Sequence, residues 1–269
     1  VRWEELSAPA IDALDRDRTI VALPIGSVEQ HGRHMPLGTD TMLAHSVALA
    51  AAERLTRRVV VLPPPWYGFS AHHMRFAGTV TLQPATIMAM VEDMAASVVA
   101  HGFRRLLVVN GHGGNGGIID VLASTLGHRF YGTARVAAFT YFQLAQAAIA
   151  ELRESAPGGM GHACEFETSM MLHLRPDLVD LDRAAVAYPD PGSRYLTTDL
   201  LGGSAVRTYH DFGDLSESGT LGDPSLATPQ KGERFFDAVV ADLVSFIADF
   251  AEWEIPAGSP DKRAAGQGA

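Results

Sequence analysis

The sequence predicts an α/β fold, a single three-layer α/β/α domain on a mostly parallel central sheet. Three observations predict it. Short β-rich runs, apolar on both faces, alternate with longer amphipathic stretches. That alternation is the order of strand–helix–strand crossovers, which cover both faces of a parallel sheet. The 269 residues, 47% hydrophobic and 19% charged, suffice for one large core without staples.

The elements follow in order. Strands are expected at 19–26 (TIVALPIG), 58–65 (RVVVLPPP), 105–111 (RLLVVNG) and 134–142 (ARVAAFTYF). Helical patterns occupy 41–57, 84–101 and 116–128; the second opens on Pro84, where a missing N–H costs little. Further helices fit 163–175 and 229–253. The stretch 186–228, rich in Gly, Pro, Asp, Ser and Thr, is too long for a plain connection and is expected to form a functional or subunit-contact arm. The domain is expected to span 1–255, with 256–269 (PAGSPDKRAAGQGA) a disordered tail.

Charge narrows the function. With 21 Lys+Arg against 31 Asp+Glu the net charge is −10, which argues against a nucleic-acid surface. No run of eighteen or more apolar residues exists, so no membrane span is expected. The N-terminal stretch lacks the basic-then-apolar order of a secretion signal. A single cysteine excludes an intramolecular disulfide framework and fits a reducing, cytoplasmic compartment. The 11 histidines are unevenly spread.

Ligands of open α/β sheets bind beyond the carboxyl ends of the strands, and polar residues collect there. After the first strand comes GSVEQHGRHMPLGTD (26–40), in which Glu29 and His31 are two apart and point to one side if extended; Asp40 follows a turn. Carboxylate, imidazole and carboxylate form a ligand set for zinc, manganese or iron; the alternative is a solvated polar loop. After the third strand, NGHGGNGG (110–117) lacks the Gly-Lys-Ser/Thr ending of a phosphate loop. Its glycines permit close backbone approach, and His112 projects into the same crevice.

The fourth strand leads to GHACEFETSMMLHL (161–174). Taken as a helix, Glu167 falls inside the apolar arc of Ala163, Phe166, Met170, Met171 and Leu174, whereas Glu165 falls outside. A carboxylate on a buried face needs a partner or a cation, so Glu167 is the better ligand candidate; Glu165 is a solvated or supporting acid. His162, at the head of this helix, is the candidate for proton transfer, or else an ordinary capping residue. The segment YGFSAHHMRFAGTVTL (67–82) offers hydroxyl and imidazole groups. A serine-hydrolase reading of Ser70 lacks the G-x-S-x-G elbow. Ser70, His73, Gly113 and Glu165 are the residues expected to touch substrate.

Together LPIGSVEQHGRHMPLGTD, YGFSAHHMRFAGTV, VVNGHGGN and GHACEFETSMML, with GTLGDPSLATPQKGE as a weaker fifth, resemble the creatininase family of metal-dependent amidohydrolases. The resemblance implies a creatininase-like α/β/α domain, two divalent metal ions (zinc, manganese or iron), hydrolysis of a non-peptide or unusual C–N bond, and hexameric assembly. By position, Glu29, His31, Asp40 and His112 match the family's metal ligands, Asp40 the bridging one. His162 matches an acid/base histidine, and Glu167 the Glu of His-Ala-Gly-x-x-Glu-Thr. Creatinine-hydrolysing members resemble Asn-Gly-His-x-Glu-Asn at the third motif, with that Glu on a metal. Gly113-Gly114 stands here instead, so Glu167 would replace that ligand. Those members also place tryptophans over the flat substrate; this chain has none between Trp66 and Trp253. Cys164 occupies the signature glycine and is expected to be a small buried residue.

The expected activity is therefore hydrolysis of a linear or cyclic amide of a small molecule by a metal-activated water at a dinuclear site, with His162, near its ordinary pKa, protonating the leaving nitrogen. The alternatives are a peptidase trimming a small modified peptide precursor of a redox cofactor, and a non-catalytic metal-binding ring subunit.

Overall fold

The computed structural model describes residues 1–55 and 59–257. Four strands, β1 (Ile20–Ile25), β2 (Val59–Val61), β3 (Arg105–Asn110) and β4 (Arg135–Thr140), form a wholly parallel sheet in the order β2-β1-β3-β4. The helices are α1 (Ala8–Asp12), α2 (Thr39–Arg54), α3 (Pro84–Ala100), α4 (Gly116–Arg129), α5 (Tyr141–Leu144), α6 (Gln146–Leu152), α7 (Glu165–Leu174), α8 (Phe212–Leu215) and α9 (Pro229–Glu252).

The sheet separates two cores because successive strand residues face opposite sides. Ile20 and Ala22 of β1 and Leu107 and Val109 of β3 pack with α2, α7 and α9. Val21, Leu23 and Ile25, with Leu106 and Val108, pack with α3 and α4. This is the expected three-layer arrangement.

Differences from the sequence reading have local causes. Strand β2 stops at Val61, because Pro63, Pro64 and Pro65 offer no N–H to a ladder. Helix α2 begins at Thr39 rather than 41, which puts Asp40 in its first turn. Helix α7 begins at Glu165 rather than 163, because Met160–His162 form a short strand, β5, antiparallel to β6 (Leu221–Gly222). Between strand and helix Ala163 is buried at φ 51°, a left-handed conformation costly for a residue with a Cβ. The 186–228 stretch is mostly irregular, as expected, but β6 and the turn of α8 lie within it. The predicted tail lies, from residue 258 on, outside the described residues.

Candidate active site

The carboxyl ends of β1 and β3 deliver the first groups. Glu29 and His31 lie in the loop after β1, where Glu29 N–H donates to the carbonyl of Leu37 (2.9 Å) and folds the loop back toward α2. Asp40 then sits at a helix N-terminus, where unpaired N–H groups favour a carboxylate. After β3, Asn110 accepts from His112 N–H (3.1 Å) and donates to its carbonyl (2.7 Å), which sets the turn carrying His112. Asn115 donates to the carbonyl of Gly26 (3.1 Å) and ties this turn to the end of β1. Glu167 comes from the first turn of α7.

Glu29, His31, Asp40, His112, His162 and Glu167 are all buried, and they converge. His31 Nδ1–H donates to the carbonyl of Glu29 (3.2 Å), leaving Nε2 toward Asp40 Oδ1 (3.0 Å) and Glu167 Oε1 (4.0 Å). His112 Nε2–H donates to the carbonyl of Phe69 (2.9 Å), leaving Nδ1 toward Asp40 Oδ2 (2.9 Å). His162 Nε2–H donates to the carbonyl of Gln30 (2.6 Å), leaving Nδ1 3.7 Å from Glu29 Oε1. Each ring is thus oriented by a backbone carbonyl and presents its other nitrogen inward, the arrangement that positions metal-binding imidazoles.

The electrostatics have the same centre. Burial would push up the carboxyls of Glu29 and Asp40, but His112 and His73 around Glu29, and His31 and His112 around Asp40, hold both well below the usual range. Burial opposes protonation of His31, yet Asp40, Glu167 and Glu29 raise its pKa to about 9; Glu29 and Asp40 likewise raise that of His112. Burial, with Asp40 nearby, raises Glu167 to about 7. His162 is pushed well below its ordinary value by burial and by His31, so the structure corrects the expectation of an ordinary imidazole there.

These residues fit divalent cations. Glu29 Oε1 is buried without a hydrogen-bond partner, the condition a cation relieves. Potential ligand atoms of His31, Asp40 and Glu167 lie within 4.8 Å of one another, as do those of Glu29, His31 and His162, and of Glu29, His72 and His112. Asp40 presents one oxygen to His31 and the other to His112, so it can be shared between two ions.

A cavity of about 630 Å³ opens onto this cluster, lined by His73, Gly113 and His162 and, from the arm, by Arg207, Tyr209 and Phe212, whose ring centroid lies 4.3 Å from that of His73. Of the residues expected to touch substrate, His73 and Gly113 line it. Ser70 does not: it is fully buried behind Glu29, to which its hydroxyl donates, and Ser27 donates to it in turn. Glu165 does not either, and it is not solvated. It is buried against Lys231 Nζ (2.7 Å) and accepts from the Ser155 N–H (2.8 Å). Cys164 is buried as expected, with its thiol pKa pushed up by burial and by Glu167. Sequence reasoning missed Gln30, whose only signal was its place between Glu29 and His31, and Lys231, one of two lysines in an arginine-rich chain.

This cluster on a parallel sheet agrees with comparison to known proteins. The creatinine amidohydrolase (creatininase) family model matches residues 4–247. The chain belongs to the creatininase family. Within it, a mycofactocin precursor peptide peptidase of Mycobacterium tuberculosis is 33% identical over 258 residues, 91% of this chain and 90% of that one. A creatinine amidohydrolase of Pseudomonas putida is 30% identical over 244 residues, 86% and 89% of the two chains. A manganese form of creatininase superposes with TM-score 0.79 at 30% identity, covering 94% of this chain and 99% of that chain. A zinc–zinc form of a mutant creatininase gives 0.78 at 29%, covering 94% and 98%. Against the motif of the creatinine-hydrolysing members, Gly114 stands where their glutamate would. A Cβ there would collide with the His112 ring and the carbonyl of Phe69, so this site has no room for that side chain.

Among the described residues no helix is long and apolar enough to cross a membrane.

Proposed function

We infer that this chain is a metal-dependent amide hydrolase that binds two divalent cations. The observation that carries the reading is the shared carboxylate: Asp40 reaches His31 with one oxygen and His112 with the other, beside the donor-less oxygen of Glu29. Glu29, Asp40 and His112 would hold one ion and His31, Asp40 and Glu167 the other. Bound there, the ions would lower the pKa of water and polarise the scissile carbonyl. Manganese and zinc are the favoured metals, since solved relatives exist in those forms. His162 Nδ1, uncharged and facing the cavity, would take the proton of the attacking water and pass it to the leaving nitrogen. Its presence favours an enzyme over a non-catalytic ring subunit.

For substrate we favour the end of a short peptide. A cavity of about 630 Å³ is far larger than a small planar amide needs, and residues of the arm help to line it. The likeness to peptide peptidases over 91% of the chain supports the same choice. A small linear or cyclic amide is the second reading, supported by the likeness to creatinine amidohydrolase. Cytoplasmic location and a homohexamer belong to the same proposal; light scattering tests the latter. The function is tested by turnover of short peptides and small amides with zinc- or manganese-loaded protein. Peptide cleavage abolished by EDTA is expected, and activity indifferent to EDTA would refute the metal dependence.

A further inference from the structure

His73 breaks the pattern of its neighbours. His31, His112 and His162 each donate one N–H to a backbone carbonyl and turn the other nitrogen inward. His73 instead faces a donor. Gln30 Nε2 lies 2.8 Å from His73 Nδ1, and the orientation of that amide is fixed by backbone on both sides. Its Oε1 accepts from the Gly32 N–H (2.8 Å), and its Nε2 donates to the carbonyl of Gly219 (3.1 Å). Gly219, at φ 78°, lies so close to this amide that any Cβ would displace it. Nδ1 must therefore accept, and the hydrogen of neutral His73 resides on Nε2.

That N–H is poised and unused. His73 is 1% exposed and lines the cavity, and its Nε2 has no hydrogen-bond partner. It stands 3.2 Å from Glu29 Oε1 without meeting it in bonding geometry. A nitrogen that carries hydrogen cannot ligate a cation, and His73 belongs to none of the potential metal-holding groups among the described residues. A buried donor without an acceptor, beside the groups that would activate water, is the device that stabilises charge developing on a carbonyl oxygen.

We propose that His73 Nε2–H, held in this tautomer by Gln30, donates to the scissile carbonyl oxygen of the substrate and to the oxyanion formed as water adds. The proposal rests on the amide-hydrolase reading. Gln30 is then a positioning residue, acting only through His73.

The test uses a phosphinic dipeptide analogue, whose tetrahedral P–O group copies the geometry of that oxyanion. Its binding to zinc-loaded wild type, His73→Ala and His73→Gln is measured by calorimetry, with zinc content checked by elemental analysis. Expected are equal zinc contents, binding about a hundredfold weaker for His73→Ala, and partial recovery in His73→Gln, whose amide restores an N–H. Equal binding by wild type and both variants would overturn the role of His73 and leave the hydrolase reading intact. Failure of zinc-loaded wild type to bind would remove the peptide reading and overturn this proposal with it, while leaving hydrolysis of a small amide standing. Nitrogen-15 spectra of histidine-labelled, zinc-loaded protein decide the tautomer independently. Hydrogen on Nε2 of His73 supports the proposal; hydrogen on Nδ1, or zinc on Nε2, overturns it.

Discussion

The imidazole of His162 donates its Nε2–H to the backbone carbonyl of Gln30 at 2.6 Å. The ring is thereby fixed with a bare Nδ1 toward Glu29 and the cavity, the atom that can accept and return a proton. His162→Ala should lower kcat by about a thousandfold while leaving metal content unchanged. Steady-state kinetics with elemental analysis checks both; full activity in the variant would exclude proton transfer by this ring.

Metal uptake should release protons. Without ions, carboxylates keep His31 (about 9) and His112 charged at neutral pH, and Glu167 (about 7) is part protonated. The cations replace those protons, so between about two and three should leave per chain at pH 7, and affinity should rise with pH toward 9. Calorimetry of zinc binding in buffers of different ionisation enthalpy counts them. No buffer dependence would contradict the charge assignment.

Lys231 and Glu165 join α9 to the first turn of α7, two residues before Glu167. Glu165 is fully buried and Lys231 is 6% exposed. Removing one partner leaves a buried charge, so Lys231→Met should cost about 3 kcal/mol or more in urea unfolding. Adding Glu165→Leu should recover part of that loss, because the orphaned carboxylate goes with it.

Acid should weaken the metal-free fold through His34. Burial, with the charge of His31 beside it, lowers its pKa to about 4 from the ordinary 6.5. Between those values the unfolded chain binds the proton and the folded chain does not, so the contribution of His34 falls as pH drops from 6.5 to 4 and is constant above that window. The loss is on the order of 3 kcal/mol. Urea midpoints across this range should fall less steeply in His34→Gln than in wild type; an unchanged slope would contradict the prediction.

What the sequence revealed and what it hid divide by distance along the chain. The parallel sheet and its covering helices followed from apolar periodicity, which is local. Glu29, His31 and Asp40 were legible because a few residues of loop carry all three, and Glu167 because a carboxylate on an apolar helix face needs a reason. Glu165 was misread because its partner, Lys231, lies 66 residues away. Ser70 looked like a substrate hydroxyl, and only the fold shows it supporting Glu29 from behind. Gln30 carries no chemistry of its own; its importance is the direction of two neighbouring rings, which composition and spacing do not encode.

The most direct test of the account is the metal content of the purified, metal-loaded chain and two variants, by elemental analysis after dialysis. Because Asp40 would be shared between the ions and Glu167 would serve one, wild type should hold about two cations per chain, Glu167→Ala about one, and Asp40→Ala close to none. Wild type without bound metal, or Asp40→Ala retaining both ions, would contradict it.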